Sequence, residues 1–241
     1  MLKVLSLILC FSMIVNAGTL KGVVNYAGSN KTPKDLKMDS DPVCGNAHSV
    51  PPKKEDFILD ENNNFKNVIV WLNISYDGKT PEDSVTIDQK GCIYIPRVLG
   101  VMQNQKVSIK NSDKTLHNVH SMPKINDSFN SAQPAGVPEI VRSFSETEAE
   151  PFYIKCDVHP WMKSWILVTD HPYFSVTDEN GNYSIKNIPA GTYEAIFWQE
   201  KLSNLSKKKY EIVQNTASVI ITEEKETIQN YTFQKPIKKK K

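Results

Sequence analysis

The sequence predicts an all-β protein, and three observations support this fold class. Short apolar runs of strand length alternate with turn signals along most of the chain, and helical periodicity is not convincing anywhere. Residues 68–72 form a continuous apolar run, which is typical of a strand buried on both faces. Residues 178–181 read Asp-Glu-Asn-Gly between two further apolar runs, and Asn-Gly is a strong hairpin signal.

Length, composition and the amino terminus set the class of protein. The 241 residues, 39% hydrophobic and 23% charged, are enough for one large or two small domains. Lys3, a short apolar run and a final Ala17 predict a signal peptide over residues 1–17. No other stretch approaches the roughly 18 apolar residues of a membrane helix. We therefore expect a periplasmic or secreted protein with no membrane span in the mature chain and, at nearly neutral charge, no nucleic-acid partner.

The most informative stretch is residues 152–162, Phe-Tyr-Ile-Lys-Cys-Asp-Val-His-Pro-Trp-Met, which is typical of a strand followed by a tight loop. Period-two alternation places Cys156 on the inward face of the strand, and His159 and Met162 follow at intervals of three. A thiolate and a thioether favour copper, and two His, one Cys and a weak axial Met are the ligands of blue-copper sites. Residues 116–120 contain two histidines, one of which could complete the set.

Other metal chemistries fit this stretch less well. Methionine is not a usual zinc ligand, and no further Cys or His lies in the loop to complete a tetrahedral site. Covalent haem attachment needs a Cys-x-x-Cys-His motif, which the sequence lacks. A dinuclear copper centre would need a second Cys in the loop. With five histidines and no His-Cys-His run, we do not expect a catalytic copper centre or an enzyme.

The cysteines outside this loop predict a disulfide bond. If Cys156 binds metal, Cys44 and Cys92 remain as a pair in an oxidising compartment. The competing interpretation is a second metal site that uses Cys44 and His48. Two isolated ligands make a poor site, so we favour the disulfide.

The pattern of strands predicts two domains and a tail. Residues 18–169 form the first domain, with an extended amino-terminal region in which residues 29–64 are loop-like, and residues 121–138 form a long surface loop. Residues 170–234 form a second, smaller β-sandwich of about 65 residues, within the range of small domains. Residues 235–241 contain five lysines and form a basic tail. Predicted strands cover residues 18–28, 65–74, 85–87, 92–95, 106–110, 140–144, 152–156, 164–169, 174–177, 183–185, 192–198, 210–213, 217–222 and 227–233.

Two motifs together resemble the metal site of cupredoxins, the type 1 blue-copper proteins. Residues 117–120 read His-Asn-Val-His, and residues 156–162 follow a Cys-x-x-His-x-x-Met spacing similar to that of amicyanin, within the amicyanin- and plastocyanin-like cupredoxins. The resemblance implies a cupredoxin-like Greek-key β-sandwich that holds one type 1 copper. The ligands that it implies are His117, Cys156, His159 and Met162.

The same resemblance implies roles for three neighbours of the ligands. Asn118 matches the residue that braces the ligand loops and supports a backbone hydrogen bond to the cysteine sulfur. The imidazole edge of His159 would reach the surface inside an apolar rim. Pro160 and Trp161 belong to this rim and would form the patch through which electrons leave.

The carboxyl-terminal domain has a resemblance of its own. Residues 176–183, Val-Thr-Asp-Glu-Asn-Gly-Asn-Tyr, and residues 187–193, Asn-Ile-Pro-Ala-Gly-Thr-Tyr, are similar to carboxypeptidase regulatory-like β-sandwiches. That family is mainly a structural or binding module, and the resemblance implies no protease activity.

These resemblances imply a periplasmic type 1 copper protein that transfers single electrons between redox partners. Suitable partners are periplasmic redox proteins such as a c-type cytochrome or a dehydrogenase or oxidase. One alternative is a copper-binding chaperone, although such proteins usually contain several Met or Cys ligands. Another is a cell-envelope binding module in which the copper site is accessory, and residues 171–234 contain no cluster that decides between them.

Overall fold

The computed structural model describes residues 17–206, 208–211 and 213–239, and nearly all of its regular structure is β-strand. This confirms the all-β prediction. Residues 1–16 of the predicted signal peptide lie outside the described part of the chain. Within the described ranges no helix is long and apolar enough to cross a membrane. The elements are β1 (Ala17–Tyr26), α1 (Pro42–Gly45), β2 (Ile69–Asn73), β3 (Val85–Gln89), β4 (Tyr94–Ile95), β5 (Val98–Met102), β6 (Val107–Asn111), β7 (His117–Met122), β8 (Asn130–Gln133), β9 (Ile140–Arg142), β10 (Phe152–Lys155), β11 (Lys163–Thr169), β12 (Phe174–Val176), β13 (Asn182–Pro189), β14 (Gly191–Trp198), α2 (Glu200–Ser203), β15 (Thr216–Ile221), β16 (Glu226–Ile228) and β17 (Tyr231–Phe233).

The strands form four sheets. Sheet I has the order β4-β3-β6-β9, and sheet II has the order β5-β11-β10-β7-β8. Sheet III has the order β12-β2-β14-β15, and sheet IV has the order β13-β1-β16 with β17 also paired to β1. Most pairs are antiparallel, but β3 runs parallel to β6, β11 runs parallel to β5, and β1 runs parallel to both β16 and β17.

Sheets I and II enclose one hydrophobic core, and sheets III and IV enclose a second. The first core lies between sheets I and II and contains Ile87 and Ile109 on one side and Ile154 and Ile166 on the other. The second core lies between sheets III and IV, where side chains such as Leu72 meet their counterparts from β1 and β13. Because side chains alternate along each strand, the outer faces of sheets II and III are free to meet each other. The structure is thus two β-sandwiches, and the first one carries the predicted metal loop.

A third apolar cluster joins the two sandwiches. It consists of side chains from β2 and β14 on one side and from β5 and β11 on the other, including Trp71, Trp165 and Trp198. The rings of Trp165 and Trp198 have centroids 4.7 Å apart. The four sheets therefore follow one another as layers with three apolar interfaces between them.

Strand β2 explains the continuous apolar run of residues 68–72. Val70 and Leu72 point into the second core, whereas Ile69 and Trp71 point into the cluster between the sandwiches. Both faces of the strand are therefore buried, as the run predicts.

The second sandwich includes strands that precede the predicted domain boundary at residues 169 and 170. β1 pairs with β13, and β2 lies between β12 and β14, so two strands of the amino-terminal part complete the second sandwich. Without them the carboxyl-terminal strands would lack the central strand of sheet IV and the strand that joins β12 to β14 in sheet III. A sandwich of residues 170–234 alone is therefore not what the structure contains.

The Asn-Gly turn also differs from the expected hairpin. The turn forms, with the amide of Gly181 donating to the carbonyl of Asp178 at 3.1 Å. The flanking strands β12 and β13, however, pair with β2 and β1 in different sheets. The turn therefore carries the chain from sheet III to sheet IV.

Three further segments depart from the sequence-based assignment. The predicted surface loop 121–138 contains β8, which pairs with β7. Residues 98–102, for which no strand was predicted, form β5. At residues 210–213 the described positions contain no strand, and Tyr210 forms an isolated bridge with Lys238 of the basic tail. That bridge holds the first part of the tail against the second sandwich.

Candidate metal centre

The centre lies at one end of the first sandwich, where β7 begins and β10 ends. β10 pairs with β7 and β11, so His117 at the start of β7 lies beside the loop that follows Lys155. The Nδ1 atoms of His117 and His159 are 2.9 Å apart, and the Sγ of Cys156 is 3.7 Å from the Nδ1 of His159. These ligand atoms all lie within 4.8 Å of one another, and all three side chains are buried.

The loop after Cys156 is closed by its own backbone. The amide of Met162 donates to the carbonyl of His159 at 2.9 Å, and the amide of Cys156 donates to the carbonyl of Met162 at 3.4 Å. Met162 is buried in the first core together with Cys156. The loop therefore brings all three of its predicted ligand residues to the same end of the sandwich.

Asn118 links the two segments that carry the candidate ligands. Its backbone amide donates to the Sγ of Cys156 at 3.4 Å, and its side-chain oxygen accepts from the amide of Asp157. Its amide nitrogen donates to the side chain of Asn130 on β8. A single residue thus fixes the sulfur of Cys156 relative to the start of β7.

The electrostatics of the centre favour a charged pair. Burial lowers the pKa of His117, but its contacts with Asp113 and Cys156 outweigh burial and raise the pKa to about 9. Burial raises the pKa of Cys156, whereas hydrogen bonds from His117 and from the amide of Asn118 lower it by more. The site therefore stabilises a thiolate, which is the form of Cys that binds metals.

Two carboxylates contact the far nitrogens of both histidines. Asp41 Oδ2 lies 2.9 Å from the Nε2 of His159, and Asp113 Oδ2 lies 2.9 Å from the Nε2 of His117. The contact with His159 lowers the pKa of Asp41 to about 2. An ionised carboxylate only accepts hydrogen bonds, so each Nε2 carries a proton and each Nδ1 faces the centre, where a bound cation would take the place of the Nδ1 proton of His117.

These two carboxylates were absent from the sequence-based site. Asp113 precedes His117 by four residues, a spacing that could have suggested the contact. Asp41 lies 118 residues before His159, and it reaches the centre only because residues 29–64 fold over this end of the sandwich.

The segment 29–64 covers the centre instead of forming a loose loop. Its short helix α1 carries Cys44, which forms the predicted disulfide with Cys92, with an S–S distance of 2.02 Å. The Sγ of Cys44 lies 3.6 Å from the Nε2 of His159. The alternative metal site at Cys44 and His48 is excluded, since Cys44 is in the disulfide and His48 contacts the carbonyl of Gly91.

This cover overturns the expectation that the imidazole edge of His159 reaches the surface. His159 is only 1% exposed, because Asp41 and Cys44 lie over the edge that was expected to face solvent. The extended segment 29–64, which precedes the ligand motifs by a long stretch of sequence, supplies both of these residues.

Trp161 connects the centre to the surface. Its ring centroid lies 5.1 Å from that of His159, and its Nε1 donates to the carbonyl of Cys92 at 2.9 Å. Trp161 is half-buried, and the adjacent Pro160 is exposed. Both line a surface groove of about 190 Å³, whose wall also includes Lys54 and Lys163.

The remaining histidines lie outside the cluster. His120 contacts the Asp157 carboxylate at 2.8 Å on the partly exposed side of β7, as expected from its strand parity relative to His117. His171 is buried beside Tyr173, and burial lowers its pKa. His117 and His159 are therefore the two histidines whose nitrogens meet Cys156.

The chain matches no protein-family model and no curated protein. Among solved structures, a copper-containing nitrite reductase from Thermus scotoductus SA-01 is 20% identical with a TM-score of 0.34, covering 41% of this chain and 25% of the reductase. A purple cupredoxin from Nitrosopumilus maritimus is 22% identical with a TM-score of 0.30, covering 35% and 98% of the two chains. An amicyanin from Paracoccus versutus is 21% identical with a TM-score of 0.31, covering 36% and 83%. This chain thus spans about a quarter of the nitrite reductase that it resembles.

Proposed function

We propose that the protein is a type 1 copper protein that transfers single electrons between redox partners. The observation that carries this proposal is the convergence of His117 Nδ1, His159 Nδ1 and Cys156 Sγ in a buried cluster beside Met162. Two nitrogen lone pairs and a thiolate repel one another unless a cation or a proton lies between them. The donor set is that of blue-copper sites, so the residues fit copper.

Copper in such a site supplies reversible one-electron chemistry between Cu(I) and Cu(II). The residues of the chain hold the donors in place before and after the transfer. The Asn118 amide contacts the Cys156 sulfur, and Asp41 and Asp113 restrain the imidazoles of His159 and His117. A site whose ligands are held by separate contacts needs little rearrangement when the charge of the metal changes.

Burial of the ligands supports electron transfer over delivery of copper to other proteins. A chaperone must expose its ligands to the recipient, whereas His117, Cys156 and His159 are each at most 1% exposed. Electrons need no such exposure, because Trp161 contacts the His159 ring and reaches the surface groove together with Pro160. We propose Pro160 and Trp161 as the electron-exit patch.

The partners we propose are periplasmic redox proteins, such as a c-type cytochrome or a dehydrogenase or oxidase. The disulfide between Cys44 and Cys92 supports an oxidising compartment, either periplasmic or extracellular. We also propose that the second sandwich, with its resemblance to carboxypeptidase regulatory-like domains, is a structural module that supports the copper domain through the tryptophan cluster.

The experiment that tests this function is addition of Cu(II) to the purified mature protein with visible and EPR spectroscopy. One equivalent should produce an intense visible band, because a thiolate donates charge to Cu(II). Cys156→Ser should abolish the band by removing the thiolate. Ala217→Ser in the second sandwich is the control, and it should keep the band because this position lies away from the candidate ligands. The proposal is wrong if the intense band persists in Cys156→Ser or is absent from the wild type.

A further inference from the structure

The two histidines of the centre are restrained in the same way, each by one carboxylate. Asp41 accepts from the Nε2 of His159 and Asp113 accepts from the Nε2 of His117, each at 2.9 Å. Both contacts lie behind the imidazoles, on the side away from Cys156. Each imidazole is therefore held between its carboxylate and the point where the donors converge.

Each carboxylate also holds one half of the disulfide. Asp41 accepts from the amide of Val43 at 2.7 Å and from the amide of Cys44 at 3.4 Å. Asp113 accepts from the amide of Gly91 at 2.6 Å and from the amide of Cys92 at 2.8 Å. The disulfide then joins the two halves covalently.

The backbone at the second half needs this support. Gly91 and Cys92 both have positive φ, at 66° and 56°. Cys92 has a Cβ, so this conformation is unfavourable for it without compensating contacts. The two hydrogen bonds to Asp113 stabilise the turn and orient the carboxylate toward His117.

Water has little access to these contacts. The side chains of His117 and His159 are 0% and 2% exposed, and those of Asp113 and Asp41 are 11% and 20% exposed. Charges interact more strongly where water is excluded, so two carboxylates at this distance act on the centre more than surface charges would. A carboxylate that accepts from a ligand histidine also fixes its ring and raises its basicity.

We propose that Asp41 and Asp113 are a pair of positioning residues that set the preference of the centre for Cu(II) over Cu(I). This inference rests on the proposed copper function. The two carboxylates add negative charge behind both imidazoles, and negative charge stabilises the more positive oxidation state. The disulfide keeps both carboxylates in place, which gives the segment 29–64 a role at the metal.

The test is the ratio of Cu(II) to Cu(I) affinity, measured with competing chelators in Asp41→Asn, Asp113→Asn and the double variant. Asparagine keeps an acceptor oxygen but removes the charge. Each single variant should shift the ratio at least about tenfold toward Cu(I), equivalent to about 59 mV for one electron, and the double variant should shift it further. Asp178→Asn is the matched control, because Asp178 holds a turn of the second sandwich through the amides of Asn180 and Asn182.

A second measurement on the wild type covers the case in which a variant fails to fold. In the diamagnetic Cu(I) protein, NMR should detect two Nε2 protons from His117 and His159 that are shifted downfield and exchange slowly. Loss of either signal within the dead time in deuterium oxide overturns the inference. The inference is also overturned if the wild type shows the thiolate band but the ratio of Cu(II) to Cu(I) affinity changes by less than twofold in both single variants. In that case the proposed copper function stands. A wild type without copper binding removes both proposals.

Discussion

Met162 is the residue of the proposed copper site that we expect to tune the metal without being required for its binding. The axial thioether of a blue-copper site is a weak and distant donor that tunes the potential. Met162 is 1% exposed and lies in the first core, so leucine, which has a similar volume, should fit in its place.

Met162→Leu should retain copper and the thiolate band but raise the reduction potential, because a donor that stabilises Cu(II) is lost. A redox titration of the visible band measures this shift. Met102→Leu is the matched control, since Met102 is similarly buried at the end of β5 away from the loop. An unchanged potential in Met162→Leu would remove Met162 from the ligand set, and loss of copper would show that it is a primary ligand.

Candidate metal ligands could be predicted from the sequence where they lie close together along the chain. Cys156, His159 and Met162 lie within seven positions, so residue types and spacing were enough to indicate a soft metal. Asp41 was not predictable in this way, because its contact with His159 depends on how a distant segment folds over the sheet. The exposed His159 edge was wrongly expected for the same reason.

At the scale of elements, Glu148 fixes a segment that has no strand of its own. Its carboxylate accepts from the backbone amides of Lys124, Ile125 and Asn126 at 3.2, 2.9 and 3.0 Å. Burial raises the pKa of Glu148, but these hydrogen bonds outweigh burial and lower it overall. The ionised form is therefore more favourable in the folded protein than in the unfolded chain.

Glu148→Gln should lower the free energy of unfolding by about 1–3 kcal/mol at pH 7. A lowered folded pKa gives stabilisation that is present above the unfolded pKa of about 4.3 and is lost as pH falls through the folded pKa. The difference between wild type and Glu148→Gln should thus shrink below about pH 4. Urea unfolding of the copper-free protein at pH 7, 5 and 3.5 measures it, with the exposed Glu146→Gln as control. A difference that does not change with pH would contradict this account.

Strands were predictable where the apolar pattern was strong, but their partners were not. The run of residues 68–72 identified β2 and its burial on both faces, because only a strand between two apolar layers needs such a run. Nothing in that pattern states that β2 pairs with β12 and β14, far along the chain. Pairing over such distances depends on tertiary packing, so the sequence pattern did not indicate that β1 and β2 belong to the second sandwich.

At the scale of the whole molecule, the two sandwiches are tied through Trp165 and Trp198. Both indole nitrogens are buried without a hydrogen-bond partner among the described residues. An unpartnered buried donor costs free energy, so the rings are retained here for their apolar contact. The candidate centre lies in the first sandwich, where Asp41 and Cys44 cover His159 and the groove beside Trp161 stays open.

Trp161→Asp should therefore retain copper and slow electron transfer by about tenfold. The aspartate removes the aromatic contact with His159 and adds a negative charge to the groove where Trp161 reaches the surface. The measurement is electron self-exchange between reduced and oxidised protein by NMR, together with stopped-flow reduction by a c-type cytochrome. Trp161→Phe is the matched control, because it keeps the ring but loses the hydrogen bond to the Cys92 carbonyl, and its rate should stay close to that of the wild type. If Trp161→Asp keeps its copper and both rates, electrons leave by another side of the sandwich and the groove is not the docking surface.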